Sequence, residues 1–474
     1  MTVAASSGVL AAGLMTAGAG PASAAGSGKS PSGKSSSPSG IRGDFNGDGY
    51  GDVATYASLK SGRVTVLYGS AQGRLGGGRA DLGQHSPGVP GDDGDSDNFG
   101  SALTAGDFDE DGYSDLGVGV PGRIADGQEA FGGVTLLWGS SSGLRDGSTP
   151  DTGTPADTDP DHAVGRALAA ADFDGDGHLD LATTHNEGVR VIKGPLTRAG
   201  RNAGVSDVPG LHGWSQELRA GDMNGDGRAD LVAETEKAAD PEWRAAAQWA
   251  AGRSTGLSSF VDVPGVPAGD GYPGSSQTAL GDIDHDGKAD LAAADPKSGR
   301  VAVVYGSASG PGGGRPSVTL TQDTEGVPAT DEPGDKFGLG LAIGDTDGDG
   351  YGELAVGAPG ETLGRGSRAV KEAGAVTVLR GTAEGVSTKD ALYFTENSEG
   401  VPGHAERGDD FGTELVLADN DGDGRADLTA SAIGENGHGT VWNLPSTARG
   451  VTGRGSAYFG PPAGADFFGN PLAR

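Results

Sequence analysis

Asp44-Phe45-Asn46-Gly47-Asp48-Gly49-Tyr50-Gly51-Asp52 is the stretch on which the reading of this chain turns. It sets Asp or Asn at positions 1, 3, 5 and 9 of a nine-residue frame, with Gly at position 6. The same frame begins again at Asp107, Asp172, Asp222, Asp282, Asp345 and Asp419, at intervals of 63, 65, 50, 60, 63 and 74 residues. Chance does not supply seven such copies at a near-regular period. They mark a structural unit, and a period of this size means a repeat architecture.

The flanks repeat as well. Phe99-Gly100, Phe337-Gly338 and Phe411-Gly412 precede three copies, and Val164-Gly165 stands in the corresponding place before a fourth. A short apolar run follows each acidic loop, such as Leu116-Gly117-Val118 or Leu354-Ala355-Val356. Two copies continue into Gly119-Val120-Pro121-Gly122 and Gly357-Ala358-Pro359-Gly360. An alternating segment comes next and ends in a turn: Val64 to Ser70, Val134 to Ser140, Val301 to Ser307 and Val376 to Thr382. Period-2 alternation with β-branched residues reads as strand. A polar segment then leads to Gly-Val-Pro, beginning at Gly88, Gly326 and Gly400, and to the next unit.

Each unit thus holds about four short strands, and seven four-stranded units in a ring are a β-propeller. The fold class is all-β. Such a small sheet cannot bury both faces alone, but it can when packed radially against its neighbours. The first unit begins at Ile41-Arg42-Gly43-Asp44 and lacks a preceding Phe-Gly segment, whereas the chain ends Phe468-Gly469-Asn470-Pro471-Leu472-Ala473-Arg474. The C-terminal segment is therefore expected to supply the missing strand and to close the ring over residues 41–474.

Composition agrees with this reading. Of 474 residues, 91 are Gly and 26 Pro, about a quarter together, and hydrophobic residues are only 34%. A Leu-rich helical globule is excluded. The formal charge of −32 argues against nucleic acid and anionic membrane surfaces as partners. Cysteine is absent, which removes disulfides, thiolate metal sites and a cysteine nucleophile. No later stretch is apolar for long enough to span a membrane. Residues 1–24 read as an export signal, with an uncharged segment from Gly8 to Ala19 and an A-x-A site at Ala22-Ser23-Ala24. Residues 25–40 are Gly, Ser, Pro and Lys, and read as a flexible linker. A secreted, extracellular or surface-associated monomer is expected.

The acidic loops read as calcium sites. The side-chain ligands would be Asp44, Asn46, Asp48 and Asp52; Asp107, Asp109, Asp111 and Asp115; Asp172, Asp174, Asp176 and Asp180; Asp222, Asn224, Asp226 and Asp230; Asp282, Asp284, Asp286 and Asp290; Asp345, Asp347, Asp349 and Glu353; and Asp419, Asp421, Asp423 and Asp427. Position 7 would add the backbone carbonyls of Tyr50, Tyr113, His178, Arg228, Lys288, Tyr351 and Arg425. An oxygen-only, flexible cage suits Ca2+ better than Mg2+, and Gly at position 6 allows the sharp turn. Position 12, where an EF-hand needs Glu, is apolar or Thr here, from Thr55 to Ala430. Up to seven Ca2+ would fit. With 26 carboxylates crowded into these loops, metal binding is expected to be coupled to folding.

Phe-Gly and Gly-Ala-Pro segments around a nine-residue acidic loop resemble the FG-GAP repeat of the integrin α-subunit propeller and of related secreted bacterial proteins. The resemblance covers about nine-tenths of the chain, and the units at Asp172, Asp222 and Asp282 depart from it outside the acidic loop. It implies calcium-supported adhesion or ligand binding without naming the ligand.

Other motifs carry less. Arg42-Gly43-Asp44 spells an adhesion tripeptide, but Asp44 is already a candidate metal ligand. Gly139-Ser140-Ser141-Ser142-Gly143 matches a nucleophile elbow, yet it is the repeat's own hairpin turn, equivalent to Tyr68-Gly69-Ser70. Trp138, Trp249 and Trp442 sit in strand segments and read as core. Three function classes follow: a binding or adhesion module for a protein or surface partner, a carbohydrate-binding propeller, and a calcium-dependent lyase or hydrolase. The first is favoured, and no converging catalytic set is found. Recognition is expected on long loops between second and third strands: Pro121 to Phe131, Glu234 to Arg244, with Trp243, and Pro359 to Glu372.

Overall fold

The computed structural model describes residues 43–473 except 59–61, 74, 92–97, 123–131, 154–163, 186–187, 212–214, 240–241, 267–276 and 466–467. The expected export signal and linker lie outside the described residues, as does most of the Pro121 to Phe131 loop.

Seven four-stranded antiparallel sheets form the blades of a β-propeller. In each, the innermost strand is followed outward by the next strands in turn. The second blade is typical: Leu103–Gly106, Asp115–Gly119, Val134–Trp138 and Arg145–Ser148. The inner strands of all seven blades line a central cavity of about 180 Å3. Small residues dominate these strands, as in Leu168–Ala171, because seven backbones must converge there.

The first blade is built from both ends of the described chain. Val53–Ala57, Arg63–Tyr68 and Gly78–Leu82 supply three strands, and Leu472–Ala473 supplies the inner one. Leu472 pairs with Thr55 and Ala473 with Ala54. That is the register of the second blade, where Leu103 pairs with Val118. Thr55 and Val118 are both twelfth in their repeats, so the C-terminal strand occupies the place expected for it. Phe468 is fully buried, like Phe99 and Phe411, and Gly469 has φ 100° beside 101° for Gly100. A side chain is strained at that φ, which is why the pair is Phe-Gly.

The core lies between blades. One cluster joins Phe45, Val64 and Val66 of the first blade to Phe99, Leu116 and Leu137 of the second. Trp138 and Trp442 are buried, and Trp249 packs at the edge of a cluster, as expected of core residues. Val89, Val327 and Val401 of the Gly-Val-Pro segments are buried as well.

One sequence expectation fails. Among the described residues, Glu234 to Ala239 and Glu242 to Arg244 are strand and not loop. Strands Asp230–Ala239 and Glu242–Ala250 run on as a paired hairpin, with Lys237 opposite Arg244 and Ala238 opposite Trp243. A two-stranded extension satisfies its backbone by cross-strand hydrogen bonds, so a polar composition does not prevent it. Ser140, in the discounted elbow motif, donates its hydroxyl to the Gly143 carbonyl at 2.7 Å inside a hairpin turn.

Candidate metal centres

Six of the nine-residue loops join the inner strand of their blade to the second strand, and the loop at Asp44 leads into Val53–Ala57, the second strand of the first blade. Consecutive antiparallel strands put successive connections at alternate ends of the sheet. The acidic loops and the turns between third and outer strands therefore share one face.

Within a loop the carboxylates first organise the backbone. Asp44 Oδ1 accepts the N–H groups of Gly47 and Asp48 at 2.7 and 3.2 Å, and its Oδ2 accepts that of Gly49 at 2.9 Å. The same bonds recur around Asp172, Asp222 and Asp419. Position 3 accepts from position 5, as Asn46 does from Asp48, and position 5 from position 7, as Asp48 does from Tyr50. These turns hold the side chains of positions 1, 3 and 5 on one side of the loop.

Position 9 is a buried node. Asp52 accepts the Phe45 N–H at 2.8 Å and the Gly69 N–H at 2.9 Å, tying the loop to the end of the third strand. Asp115, Asp180, Asp230, Asp290, Glu353 and Asp427 make the equivalent pairs. Burial is the main force on their acidity. It pushes Asp52, Asp115 and Asp427 up to about 8, Asp290 and Glu353 to about 7, and Asp180 and Asp230 to about 6. Neighbouring loop carboxylates push the same way, and the backbone donors pull partly back.

Two observations fit a cation. Carboxylate oxygens from positions 1, 3 and 9 lie within 4.8 Å of one another in Asp107/Asp109/Asp115, Asp172/Asp174/Asp180, Asp282/Asp284/Asp290 and Asp345/Asp347/Glu353. The buried Oδ1 atoms of Asp109 and Asp284 have no hydrogen-bond partner. Hard oxygen donors at this spacing could hold a metal ion, and a cation would offset the burial cost of the position-9 carboxylate and the repulsion that adds to it.

Four basic side chains missed in the sequence also reach position 3. Lys193 contacts Asp174 at 2.9 Å, Arg315 contacts Asp284 at 3.0 Å, Arg198 contacts Asp109 at 2.5 Å, and Arg380 pairs with Asp347. They come from the third strand or the turn after it, so no local spacing announces them. In the loops with neutral Asn46 and Asn224, position 3 needs no such partner.

The loops also join into a ring. At six junctions the position-8 N–H donates to the position-1 carbonyl of the preceding blade at 2.7–3.0 Å, including Gly51 to Asp419 across the closure. At five junctions a turn N–H donates to the position-2 carbonyl, as Ser140 does to Phe45 at 3.2 Å. Position 7 of each loop lies over position 4 of the loop before. Tyr113 covers Gly47, Tyr50 covers Gly422, and the Tyr351 and His285 rings stand 5.7 Å apart. Position 4 adopts positive φ throughout, even at Glu110 (60°) and His285 (57°). Position 2 anchors the ring from below: Phe45, Phe108, Phe173, Met223, Ile283, Thr346 and Asn420 are all fully buried. Five of these seven residues are apolar, a bias at position 2 that the sequence itself carries.

Comparison with known proteins agrees with the geometry. The FG-GAP repeat family matches residues 41–67, 99–137 and 337–379, and the FG-GAP-like repeat matches 172–233. Phosphatidylinositol-glycan-specific phospholipase D of Rattus norvegicus is 38% identical over 146 residues, 29% of this chain and 17% of that protein. Integrin alpha-PS2 of Drosophila melanogaster is 28% identical over 235 residues, 44% of this chain and 16% of that protein. The chain thus spans less than a fifth of the length of these curated relatives. Among solved structures, an Agrocybe aegerita lectin that recognises non-reducing terminal N-acetylglucosamine aligns at 14% identity and TM-score 0.44, over 87% of this chain and 95% of that one. Among the described residues no helix is long and apolar enough to cross a membrane. FG-GAP repeats thus match several blades of this chain, and its seven four-stranded sheets form a seven-bladed β-propeller.

Proposed function

We propose that this propeller is a secreted binding module, stabilised by Ca2+ in its acidic loops, that engages a protein or cell-surface partner through the opposite face. It is read as a scaffold for recognition and not as an enzyme. The Ca2+ would be held by positions 1, 3, 5 and 9 with the position-7 carbonyl, and the export signal at residues 1–24 would direct the chain outside the cell.

The observation that carries this reading is the asymmetry between faces. The acidic loops are engaged with one another around the ring, which leaves little of that face free to vary. The opposite face carries the excursion from Pro359 to Glu372, closed on itself by Leu363 and Val370, whose backbones exchange hydrogen bonds at 2.9 and 2.8 Å. Its tip, Gly364 to Arg368, is exposed, and Arg365, Arg368 and Lys371 present three cations on a chain of net charge −32. Long individual loops on a rigid scaffold are where recognition sits. Basic residues there would favour an acidic partner surface and would speed encounter.

The test is capture of surface proteins by the full chain in calcium, compared with a variant in which Gly364 to Ala369 is replaced by a short Gly/Ser turn. The variant should melt as the parent does and lose the captured partner. Equal capture by both proteins would move the binding face elsewhere. Retention on a glycan array with no protein capture would replace the partner class with carbohydrate.

A further inference from the structure

A second set of acidic residues lies away from the nine-residue loops, where the sixth and seventh blades meet. Glu396 follows the outer strand Ser387–Phe394, Asp409 precedes the inner strand Phe411–Ala418, and Glu435 follows Asp427–Ala432. Blade-to-blade connections and second-to-third loops lie at the end opposite the nine-residue loops, so this cluster is on the opposite face. One carboxylate oxygen from each of the three residues lies within 4.8 Å of the others. Glu396 is only 1% exposed, and neither of its oxygens has a hydrogen-bond partner. Oε2 of Glu435 is likewise buried without one.

The neighbouring junction shows this arrangement with an amide in place of one carboxylate. Between the fifth and sixth blades, Gln322, Asp335 and Glu361 occupy the equivalent positions. Thr321-Gln322 matches Thr395-Glu396, Asp335 stands two residues before Phe337-Gly338 as Asp409 does before Phe411-Gly412, and Gly360-Glu361 matches Gly434-Glu435. The backbones agree: the Gly360 N–H donates to Asp335 O and the Gly434 N–H to Asp409 O, both at 3.0 Å. Asp335 accepts the Glu332 N–H at 2.8 Å, and Asp409 accepts that of Glu406. At that junction Gln322 Nε2 donates to Glu361 Oε2 at 2.6 Å. With Glu396 in place of Gln322, that donor is gone and a third carboxylate takes its place.

An unpaired buried carboxylate is costly unless it is neutralised or bound to a cation. The charged groups acting most on Glu396 are Glu435, Asp409 and Glu406, all acidic. Burial first and these charges next push Glu396 up to about 9, and burial with Asp409 pushes Glu435 to about 7. Glu435 is half-buried beside the exposed Asn436 and Gly437, which leaves a route from solvent.

We propose that Glu396, Asp409 and Glu435 form an additional cation site that takes a hard divalent ion of the calcium class and clamps the sixth blade to the seventh. Three hard carboxylate oxygens, no thiolate or imidazole in the set, and a partly open side for water suit Ca2+. The ion would do for Glu396 what the Gln322 amide does for Glu361.

The test is Ca2+ stoichiometry of the full chain by equilibrium dialysis, for the parent and for Glu396→Gln, which reproduces the amide of the neighbouring junction. The variant should bind one ion fewer at the same free Ca2+. An unchanged count would overturn the site and leave a proton shared among the carboxylates. Should the variant fail to fold, crystals of the parent soaked in Tb3+ decide the matter. An anomalous peak among the three carboxylates supports the site, and its absence at full soak overturns it. Peaks in the nine-residue loops are resolved separately, so empty loops would count against the proposed function without touching this result.

Discussion

The two faces of the ring are built on opposite rules. On the acidic-loop face every blade repeats one solution: position 1 gathers the loop, position 9 ties it to the third strand, position 7 covers position 4 of the loop before. On the other face the described residues differ from blade to blade. A carboxamide at Gln322 becomes a carboxylate at Glu396, and one second-to-third connection is an excursion while another extends as a hairpin. Contacts that join neighbours must match around a closed ring, so the first face cannot vary one blade at a time. The second face is joined less uniformly and can carry features found in one blade only.

Ring closure is the condition for both faces, and breaking it should have the largest effect. Removing Phe468 to Arg474 takes away the inner strand of the first blade, the buried Phe468 ring and the bond from Thr55 Oγ1 to Pro471 O at 2.9 Å. The truncated chain should lose cooperative unfolding or aggregate through the exposed strand edge. A melt equal to that of the full chain would show that the ring does not need this strand.

Next in size is the anchor beneath the loops. Phe108→Ala empties a fully buried site between the second and third blades and should destabilise by about 3–5 kcal/mol in chemical denaturation. A loss under about 1 kcal/mol would mean that the loop face is held by its hydrogen bonds without the core below.

A smaller effect, of about 3 kcal/mol at most, probes the opposite face. Burial, with the Asp335 charge adding to it, raises Glu361 from 4.5 to about 7. A carboxyl with a raised folded pKa binds more protons folded than unfolded, so its contribution to stability falls as pH rises between the two values. The stability of the parent relative to Glu361→Gln should therefore fall from about pH 4.5 to about pH 7 and level above it. A flat difference would show that Glu361 is not shielded from water as its burial implies.

Much of this architecture was legible because it repeats. The frame beginning at Asp44 marked seven units, and the likeness of Phe468-Gly469 to Phe99-Gly100 placed the closing strand. What repeats only through the backbone left no trace, such as the bond from Gly51 N to Asp419 O. Lys193, Arg198, Arg315 and Arg380 reach their loops from a different strand or turn, so no local spacing ties them to the acidic frame. Glu234 to Arg244 looked like a loop because a hairpin beyond the core needs no apolar alternation. Glu396, Asp409 and Glu435 are far apart in sequence, and only the folded junction brings them together.

The central claim is that the loop face is a set of calcium sites coupled to folding, and one measurement bears on it most directly. Thermal unfolding of the full chain should be followed after chelation, then with Ca2+ and with Mg2+ restored in turn. A ligand bound only by the folded state raises stability by mass action. The account predicts a lowered melting temperature on chelation, restored by Ca2+ at roughly 10⁻⁴ to 10⁻³ M and less effectively by Mg2+. Identical melts with and without chelator would contradict it.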